Sequence, residues 1–184
     1  MSLKIGIITT SVREGRVGLD VANWVFNNIK QIKQNDVYYE LVDLKNYDLP
    51  FYGVSSATEN QKNNISKWSN KMAEFDGYIF VIAEYNHLMT GAIKNAMDYL
   101  KQQVTNKVAS FVGYGAFGGS RAIESFRMML GELQVACTQK TVNFMLAVDF
   151  ENYSIFKPKN YHISGLKLLL EQNQKWAQAL KTTR

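Results

Sequence analysis

The sequence predicts an α/β fold, in which helices cover both faces of a parallel β-sheet. Apolar runs that suit buried strands alternate five times with stretches whose apolar residues recur at helical spacing. The runs lack polar alternation, which is typical of strands buried on both faces of a parallel sheet. No Pro/Gly/Ser-rich linker divides the chain, so residues 1–184 are expected to form a single domain.

The first strand is predicted at Ile5–Ile8, and a helical pattern follows from Val17 to Ile32. Between them lies a loop rich in hydroxyl groups and arginines. A helix start attracts anions through its unpaired N–H groups and the positive end of its dipole. With Arg13 and Arg16 as donors, the loop therefore predicts a phosphate-binding turn, and an ordinary solvated loop is the alternative interpretation. Its spacing matches neither a Walker loop nor GxGxxG.

The rest of the chain repeats this alternation of strand and helix. Runs rich in β-branched and aromatic residues predict strands at Val37–Val42, Tyr78–Ile82, Val108–Val112 and Gln134–Phe144. Apolar residues at helical spacing predict helices around Ile65–Met72, Ile93–Leu100, Ala122–Leu133 and Ile163–Leu180. Thr90 is the expected N-cap of the third helix. The segment 45–61 is predicted as an aromatic-rich loop, either functional or a cover for the sheet edge, and the segment 149–161 shows no assignable pattern.

The formal charge of +5 does not indicate a nucleic-acid partner. Residues 157–184 contain six basic residues and one acidic residue, which accounts for the whole surplus. A basic terminal helix is usually a solvated face, and no stacking platform or recognised motif accompanies it. We therefore expect no nucleic acid among the partners.

The residue counts also argue against metal and membrane sites. Cys137 is the single cysteine, and His87 and His162 are the two histidines, which leaves too few ligands for a typical metal centre. No apolar stretch approaches the ~20 residues that span a bilayer, and the N-terminus has no secretory signal pattern. The sequence therefore predicts a cytoplasmic protein without a metal ion or a membrane partner.

The least ordinary loops follow the first, third and fourth strands. In such sheets, ligands bind beyond the carboxyl ends of the strands, where the strand order reverses. The fold is expected to bring the loops 9–16, 84–90 and 113–120 to this edge. Glycines lack a Cβ atom and would let a flat ring system approach main-chain N–H groups there. They are Gly91, Gly113, Gly115, Gly118 and Gly119.

Three motifs in these loops together resemble the NADPH-dependent FMN reductase family. They are TSVREGR at 10–16, EYNHLMTGAIKNAMD at 84–98 and GYGAFGG at 113–119, and the resemblance extends over residues 4–133. It implies a flavodoxin-like three-layer sandwich, with a five-stranded parallel sheet of order 2-1-3-4-5 and FMN as cofactor. The chain departs from the family at Ala83, Leu88 and Thr90, where proline, a small polar residue and proline are frequent.

The resemblance also implies which residues bind the cofactor. Ser11, Arg13 and Arg16 would hold the FMN phosphate. The flavin would be lined by Glu84, Tyr85, Asn86 and His87. The next helix would start at Gly91. The opposite wall would be formed by Tyr114, Gly115, Gly118 and Gly119. No protein acid, base or nucleophile is required, because the cofactor carries the chemistry.

The function implied is an oxidoreductase in which FMN accepts a hydride from NADH or NADPH. Reducing equivalents then pass to a small electron acceptor, such as free flavin, a quinone or an azo compound. The resemblance also implies a homodimer or tetramer with a flavin site at a subunit boundary. One alternative is a non-enzymatic FMN-binding electron carrier with protein partners, although carriers of this fold tend to be acidic and this chain is basic. A cofactor-free structural or sensor module is a third hypothesis.

Several residues allow two interpretations. Residues 113–118 also read GxGxxG, but the acidic residue expected about 20 positions later is absent from a strand end, since Glu132 lies within the predicted fourth helix. His87 either orients a substrate or packs beside the cofactor. Tyr85 and Tyr114 either stack on a ring or belong to the core. Arg121 and Arg127 are interpreted as solvated or subunit-contact residues rather than as a nicotinamide-phosphate site. Cys137 is interpreted as a small buried hydrophobe.

Overall fold

The centre of the protein is a five-stranded parallel sheet with strand order β2-β1-β3-β4-β5. The computed structural model describes residues 2–32 and 36–184. The strands are β1 (Leu3–Thr9), β2 (Val37–Asp43), β3 (Gly77–Ala83), β4 (Val108–Gly115) and β5 (Ala136–Met145). The predicted fold class and strand order are confirmed.

Helices form a layer on each face of the sheet. They are α1 (Gly18–Gln31), α2 (Glu59–Ala73), α3 (Gly91–Asp98), α4 (Ser120–Glu132), the short α5 (Leu146–Asp149) and α6 (His162–Lys181). Val25 of α1 and Leu166 of α6 belong to the core on one face, whereas Trp68 of α2, Ile93 of α3 and Phe126 of α4 belong to the core on the other. This arrangement confirms the predicted three-layer sandwich.

Strand register places the ends of β1, β3 and β4 at one edge. Thr9 pairs with Val81, and Ala83 pairs with Tyr114, so the loops that follow these strands start side by side. Every residue of β3 and β4 is buried, which agrees with their continuous apolar runs. The sheet therefore provides a rigid base for the loops at its carboxyl edge.

Strand β4 is longer than the sequence predicts. Gly113 and Gly115 continue the ladder by pairing with Asn143 and Met145 of β5, and the turn comes only afterwards. Glycine weakens a strand pattern, so the sequence favoured a loop here. Pairing with the neighbouring strand overrides that local preference.

The segment 149–161, which showed no assignable pattern, contains the last residue of α5 and a two-stranded hairpin. Strand β6 (Phe150–Glu151) pairs antiparallel with β7 (Ile155–Phe156). The fully buried Asp149 accepts hydrogen bonds from Met145 N at 2.9 Å and lies 2.9 Å from His162 Nε2. This carboxylate therefore ties the end of β5 to the start of α6.

The aromatic-rich loop after β2 is fastened to α3. Its first turn is a 3₁₀ helix (Leu44–Tyr47), and α2 begins at Glu59 behind a Thr58 capping box. Asn95 of α3 donates to Pro50 O at 2.7 Å and accepts from Tyr52 N at 2.8 Å. The loop is thus held close to the carboxyl edge of the sheet.

The described residues contain neither a membrane-spanning helix nor a cluster of metal ligands. In residues 2–32 and 36–184, no helix has both the length and the apolar character needed to cross a bilayer. Over the same residues, no three His, Cys, Asp or Glu side chains are grouped to hold a metal ion. Partial burial raises the pKa of the Cys137 thiol to about 11, which keeps it protonated near neutral pH.

Candidate functional site

Hydrogen bonds join the three predicted loops at the carboxyl edge of the sheet. We call residues 10–18, 84–91 and 113–121 the rim. Ser11 Oγ lies 3.0 Å from the Tyr114 hydroxyl, and Arg13 Nε donates to the Tyr85 hydroxyl at 2.7 Å. The Thr90 hydroxyl donates to the carbonyl of Thr10. The structure therefore places Arg13, the β3 loop and the β4 end on the same side of the molecule.

The loop after β1 presents main-chain donors at the start of α1. Within the described part of the chain, the N–H groups of residues 12–15 have no main-chain acceptor, and Val17 provides no side-chain cap for the helix. Arg13 adds an exposed guanidinium group to these donors. Open N–H groups, a helix N-terminus and an arginine together form an anion-binding arrangement.

Arg16 braces the same loop. Its Nη1 donates to Ser11 O at 2.6 Å, and its Nη2 forms an ion pair with Asp43 at the end of β2. Their side chains are 9% and 12% exposed, and Asp43 also accepts from Thr9 Oγ1 at 2.8 Å. In the structure, Arg16 thus fixes the path of the loop, and its predicted contact with a phosphate stays a prediction.

Tyr114 is a buried residue of the rim. Its ring is 6% exposed and packs near Phe150, with 6.4 Å between ring centroids. Burial raises the pKa of Tyr114 to about 12, so the phenol remains neutral and hydrogen-bonds to Ser11. A Cβ atom on Gly18 would lie 2.6 Å from the phenol oxygen, which explains why α1 starts with glycine. Of the two earlier interpretations, the geometry favours a core position for this ring.

A tight turn carries the residues predicted to line the flavin. Tyr85 and Leu88 exchange two main-chain hydrogen bonds of 3.0 Å, and Asn86 and His87 between them have φ values of 49° and 69°. These positive values resemble a type I′ turn, in which asparagine is favoured. The sequence signal for this turn is the Asn-His pair directly after a buried strand.

Thr90 replaces the proline that is frequent in the family and fixes the end of this loop. It is the N-cap of α3, because its hydroxyl oxygen accepts from Ile93 N at 3.3 Å. The same hydroxyl donates to Thr10 O, so one side chain both starts the helix and holds the loop after β1. The predicted N-cap is confirmed.

The glycines of the β4 loop serve the protein's own packing. A Cβ atom on Gly113 would lie 2.3 Å from Gly118 O, and one on Gly118 would lie 2.8 Å from Asn143 Cβ. Gly118 and Gly119 also have positive φ values of 66° and 74°. Gly91 differs, since no protein atom lies within 4 Å of its added Cβ. A side chain at position 91 would thus extend into open space, whereas the β4 glycines let the loop fold back on the strand.

Arg121, at the start of α4, connects the loop after β4 to the loop after β3, which contains the turn at residues 85–88. Its Nε donates to Glu84 Oε1 at 2.7 Å, and its Nη1 lies 2.8 Å from His87 Nε2. The sequence-based interpretation as a solvated or subunit-contact residue did not include this role. Glu84 and Arg121 are 37 positions apart, and no local pattern links them.

A cavity of about 310 Å³ adjoins the loop after β1. Its walls come from this loop, the 3₁₀ turn after β2 and the first turns of α3. The residues that line the cavity are Val12, Leu44, Lys45, Asp48, Leu49, Ala92 and Asn95.

The model of the NADPH-dependent FMN reductase family matches residues 3–149. The chain belongs to this family. It is 34% identical over 190 residues to the NAD(P)H-dependent FMN reductase ntnL of Nectria sp.. The matched region covers 97% of this chain and 89% of the relative. The chain is 30% identical to the NAD(P)H-dependent FMN reductase LOT6 of Saccharomyces cerevisiae, over 72% of this chain and 76% of the relative.

Solved structures show the same fold as this FMN reductase family member. FerB, a flavoenzyme NAD(P)H:(acceptor) oxidoreductase from Paracoccus denitrificans, superposes with a TM-score of 0.69 at 14% identity. The match covers 94% of this chain and 98% of FerB. A short-chain flavodoxin superposes with a TM-score of 0.61, so the fold is flavodoxin-like as predicted. The chain is an NAD(P)H-dependent flavoprotein oxidoreductase that uses FMN.

The residues of the rim fit the cofactor of the family. FMN has a phosphate at one end and a flat ring system at the other. The N–H groups of residues 12–15, which have no main-chain acceptor, and the exposed Arg13 suit the phosphate. All the predicted site residues lie on the rim, and their contacts with FMN stay predictions.

Proposed function

We propose that the rim binds FMN and that the protein uses NADH or NADPH to reduce a small electron acceptor, such as free flavin, a quinone or an azo compound. The observation that carries this proposal is the convergence of three loops around an anion-binding helix start. Ser11–Tyr114, Arg13–Tyr85 and Thr10–Thr90 are the hydrogen bonds that hold the loops together.

The phosphate end of the site would be held by the loop after β1. Arg13 and the N–H groups of residues 12–15 would donate to phosphate oxygens at the positive end of the α1 dipole. Ser11 and Arg16 would contribute through the shape of the loop, since the hydroxyl of Ser11 is bonded to Tyr114 and Arg16 is paired with Asp43. This division of roles makes Arg13 the most sensitive position for phosphate binding.

The ring end would be held by the β3 turn and the β4 loop. Tyr85, Asn86 and His87 would border one side, and the main chain around Gly115 and Gly118–Gly119 the other. When bound, FMN supplies hydride acceptance from the nicotinamide and electron transfer to the acceptor. The chain's own residues bind and orient the reactants, and no side chain has to act as nucleophile.

Relatives support a small aromatic acceptor. An NADPH azoreductase of Bacillus sp. is 29% identical over 56% of this chain, and a 2-hydroxy-1,4-benzoquinone reductase of Burkholderia sp. is 27% identical over 54%. Both names describe electron acceptors that contain a reducible double-bond system. We infer the same acceptor class for this protein.

We further propose that residues 1–184 form one FMN-binding domain that assembles as a homodimer or tetramer in the cytoplasm. Exposed apolar side chains around the rim support a subunit boundary there. They include Phe51, Tyr52, Leu88 and Phe117. Dependence on NAD(P)H, an intracellular reductant, supports the location.

The test is a flavin titration followed by turnover of the isolated protein. Purified protein should take up FMN with quenching of flavin fluorescence, and should then oxidise NADH or NADPH continuously when a quinone is supplied. Arg13→Ala should weaken FMN binding at least tenfold, since a charge-assisted hydrogen bond contributes about 1.5–3 kcal/mol. Lys62→Ala, an exposed cation on α2, is the matched control.

Two results would contradict the proposal. Protein that binds no added FMN would remove the flavin site. Holoprotein that binds FMN but oxidises neither NADH nor NADPH would favour the electron carrier instead.

A further inference from the structure

The guanidinium group of Arg121 is held in place before any ligand binds. Glu84, whose side chain is 5% exposed, accepts from both Arg121 Nε at 2.7 Å and Arg121 N at 3.2 Å. The guanidinium carbon also lies 4.7 Å from the centroid of the Phe117 ring. Glu84 therefore anchors the guanidinium group, whose side chain is 38% exposed, and Nη1 stays available as a donor.

That donor determines which nitrogen of His87 carries the proton. Arg121 Nη1 lies 2.8 Å from His87 Nε2. A guanidinium group has only donors, so Nε2 must be the acceptor. With Nε2 as the acceptor, the ring proton of His87 lies on Nδ1. Within residues 2–32 and 36–184, no protein group is hydrogen-bonded to this Nδ1.

The second histidine has the opposite arrangement. His162 Nε2 lies 2.9 Å from Asp149 Oδ1, and a carboxylate accepts hydrogen bonds. Nε2 of His162 therefore carries a proton. His162 can therefore serve as the internal reference when the tautomer of His87 is measured.

We propose that Arg121 is a positioning residue that presents His87 as an Nδ1–H donor for the acceptor substrate. A quinone-type acceptor has a carbonyl oxygen that suits such a donor. The inference rests on the proposed function, because it places the acceptor at the rim. Overall, NAD(P)H gives a hydride and solvent gives a proton, so the quinone becomes a hydroquinone and NAD(P)⁺ is released. His87 keeps its proton and orients the carbonyl.

The first test measures the tautomer in the protein without FMN. Long-range ¹H–¹⁵N NMR of ¹⁵N-histidine-labelled protein should show His87 protonated on Nδ1 and His162 on Nε2. H87Q and H162Q assign the two rings. R121Q should leave His87 exchanging between tautomers, and Lys94→Gln, which removes the exposed pair with Asp98, should change neither ring. A proton on Nε2 of His87 in the unmodified protein would overturn the inference.

The second test measures acceptor selectivity in the holoenzyme. Ferricyanide takes single electrons and needs no proton, so it serves as the reference acceptor. The ratio of kcat/KM for a benzoquinone to that for ferricyanide should fall about tenfold in H87Q and R121Q, mainly through KM for the quinone, as expected for one lost hydrogen bond. R121K should restore much of the ratio, and Lys94→Gln should leave it unchanged.

The outcomes separate the inference from the proposed function. Equal losses with both acceptors in H87Q and R121Q would mean a structural role and would overturn the inference. Absence of any turnover in the unmodified holoprotein would overturn the proposed function, and the selectivity claim with it, while the NMR experiment would still decide whether Arg121 sets the tautomer.

Discussion

Tyr114 shows how one buried hydroxyl group connects the core to the rim. In Tyr114→Phe, the Ser11 hydroxyl, which is 1% exposed, loses the phenol that it contacts at 3.0 Å. Leaving a buried polar group without a partner costs about 1–3 kcal/mol. We expect the free energy of unfolding to fall by this amount in urea titrations. FMN affinity should fall several-fold, because the loop after β1 loses its contact with β4.

Tyr78→Phe is the matched control for this prediction. Its hydroxyl donates to Met72 O at 2.7 Å, near the start of β3 and therefore at the opposite edge of the sheet from the rim. The free energy of unfolding should fall by less, because Met72 O keeps its hydrogen bond from Lys107 at 3.1 Å, and FMN affinity should stay the same. If both variants bind FMN equally well, the Ser11–Tyr114 contact has no role in the site.

Lys107 gives the protein a pH-dependent stability away from the rim. Burial lowers the pKa of Lys107 to about 8, and its ammonium group donates to Met72 O and Ala73 O at 3.1 and 2.8 Å. The unfolded state, with a pKa near 10.5, binds more protons than the folded state between these values, so stability rises with pH in that window. Between pH 7 and 9.5 this group should add about 2 kcal/mol to the free energy of unfolding.

The measurement for Lys107 is urea unfolding of the unmodified protein and Lys107→Met at both pH values. The difference between the two proteins cancels the titration of other groups. That difference should shift by about 2 kcal/mol in favour of the unmodified protein at the higher pH. A difference independent of pH would contradict the lowered pKa.

At the level of elements, the N-caps of α2 and α3 allow an effect on folding stability to be distinguished from an effect on FMN binding. Thr90 caps α3 and also donates to Thr10 O, whereas Thr58 caps α2 through a capping box on the surface. Replacing either by alanine should lower the free energy of unfolding by about 1 kcal/mol. Thr90→Ala alone should weaken FMN binding, because it also frees the loop after β1. Equal FMN affinities in fluorescence titrations of the two variants would contradict this role.

Most elements could be predicted because their residues follow one period. The helices α1 and α6 and the strand β3 appear where their apolar patterns predict them. The hairpin β6–β7 could not be predicted, because its strands have two residues each and its stability comes from Phe150 and Phe156 packing on each other, 5.0 Å between centroids. Such short strands carry too little sequence pattern to recognise.

Parts of the candidate site depend on contacts between distant residues. The positions of the three loops follow from strand order, so their convergence could be predicted from the sequence. The partners within them could not, because Arg16 and Asp43 are 27 positions apart, and Glu84 and Arg121 are 37 apart. The sequence indicates that an arginine is present, but the fold decides whether it faces a ligand or a carboxylate.

At the level of the whole molecule, we expect self-association through exposed apolar side chains of the loop after β2 and of α4. Phe51 and Met128 are each 77% exposed, one on the loop after β2 and the other on α4. Sedimentation at micromolar concentration should show a dimer or tetramer, and Phe51→Asp or Met128→Asp should shift it toward the monomer. Leu168→Asp on α6, on the opposite layer, is the control and should not. A monomeric unmodified protein would contradict this expectation.

The turn between Tyr85 and Leu88 closes through its own main chain, and its two central side chains are exposed. Asn86 and His87 can therefore be exchanged without repacking the interior, provided that the replacements tolerate a left-handed backbone. A small combinatorial library of Asn, Asp, Gly and His at these two positions should therefore leave the scaffold intact, and it would test whether the turn sets the choice of electron acceptor.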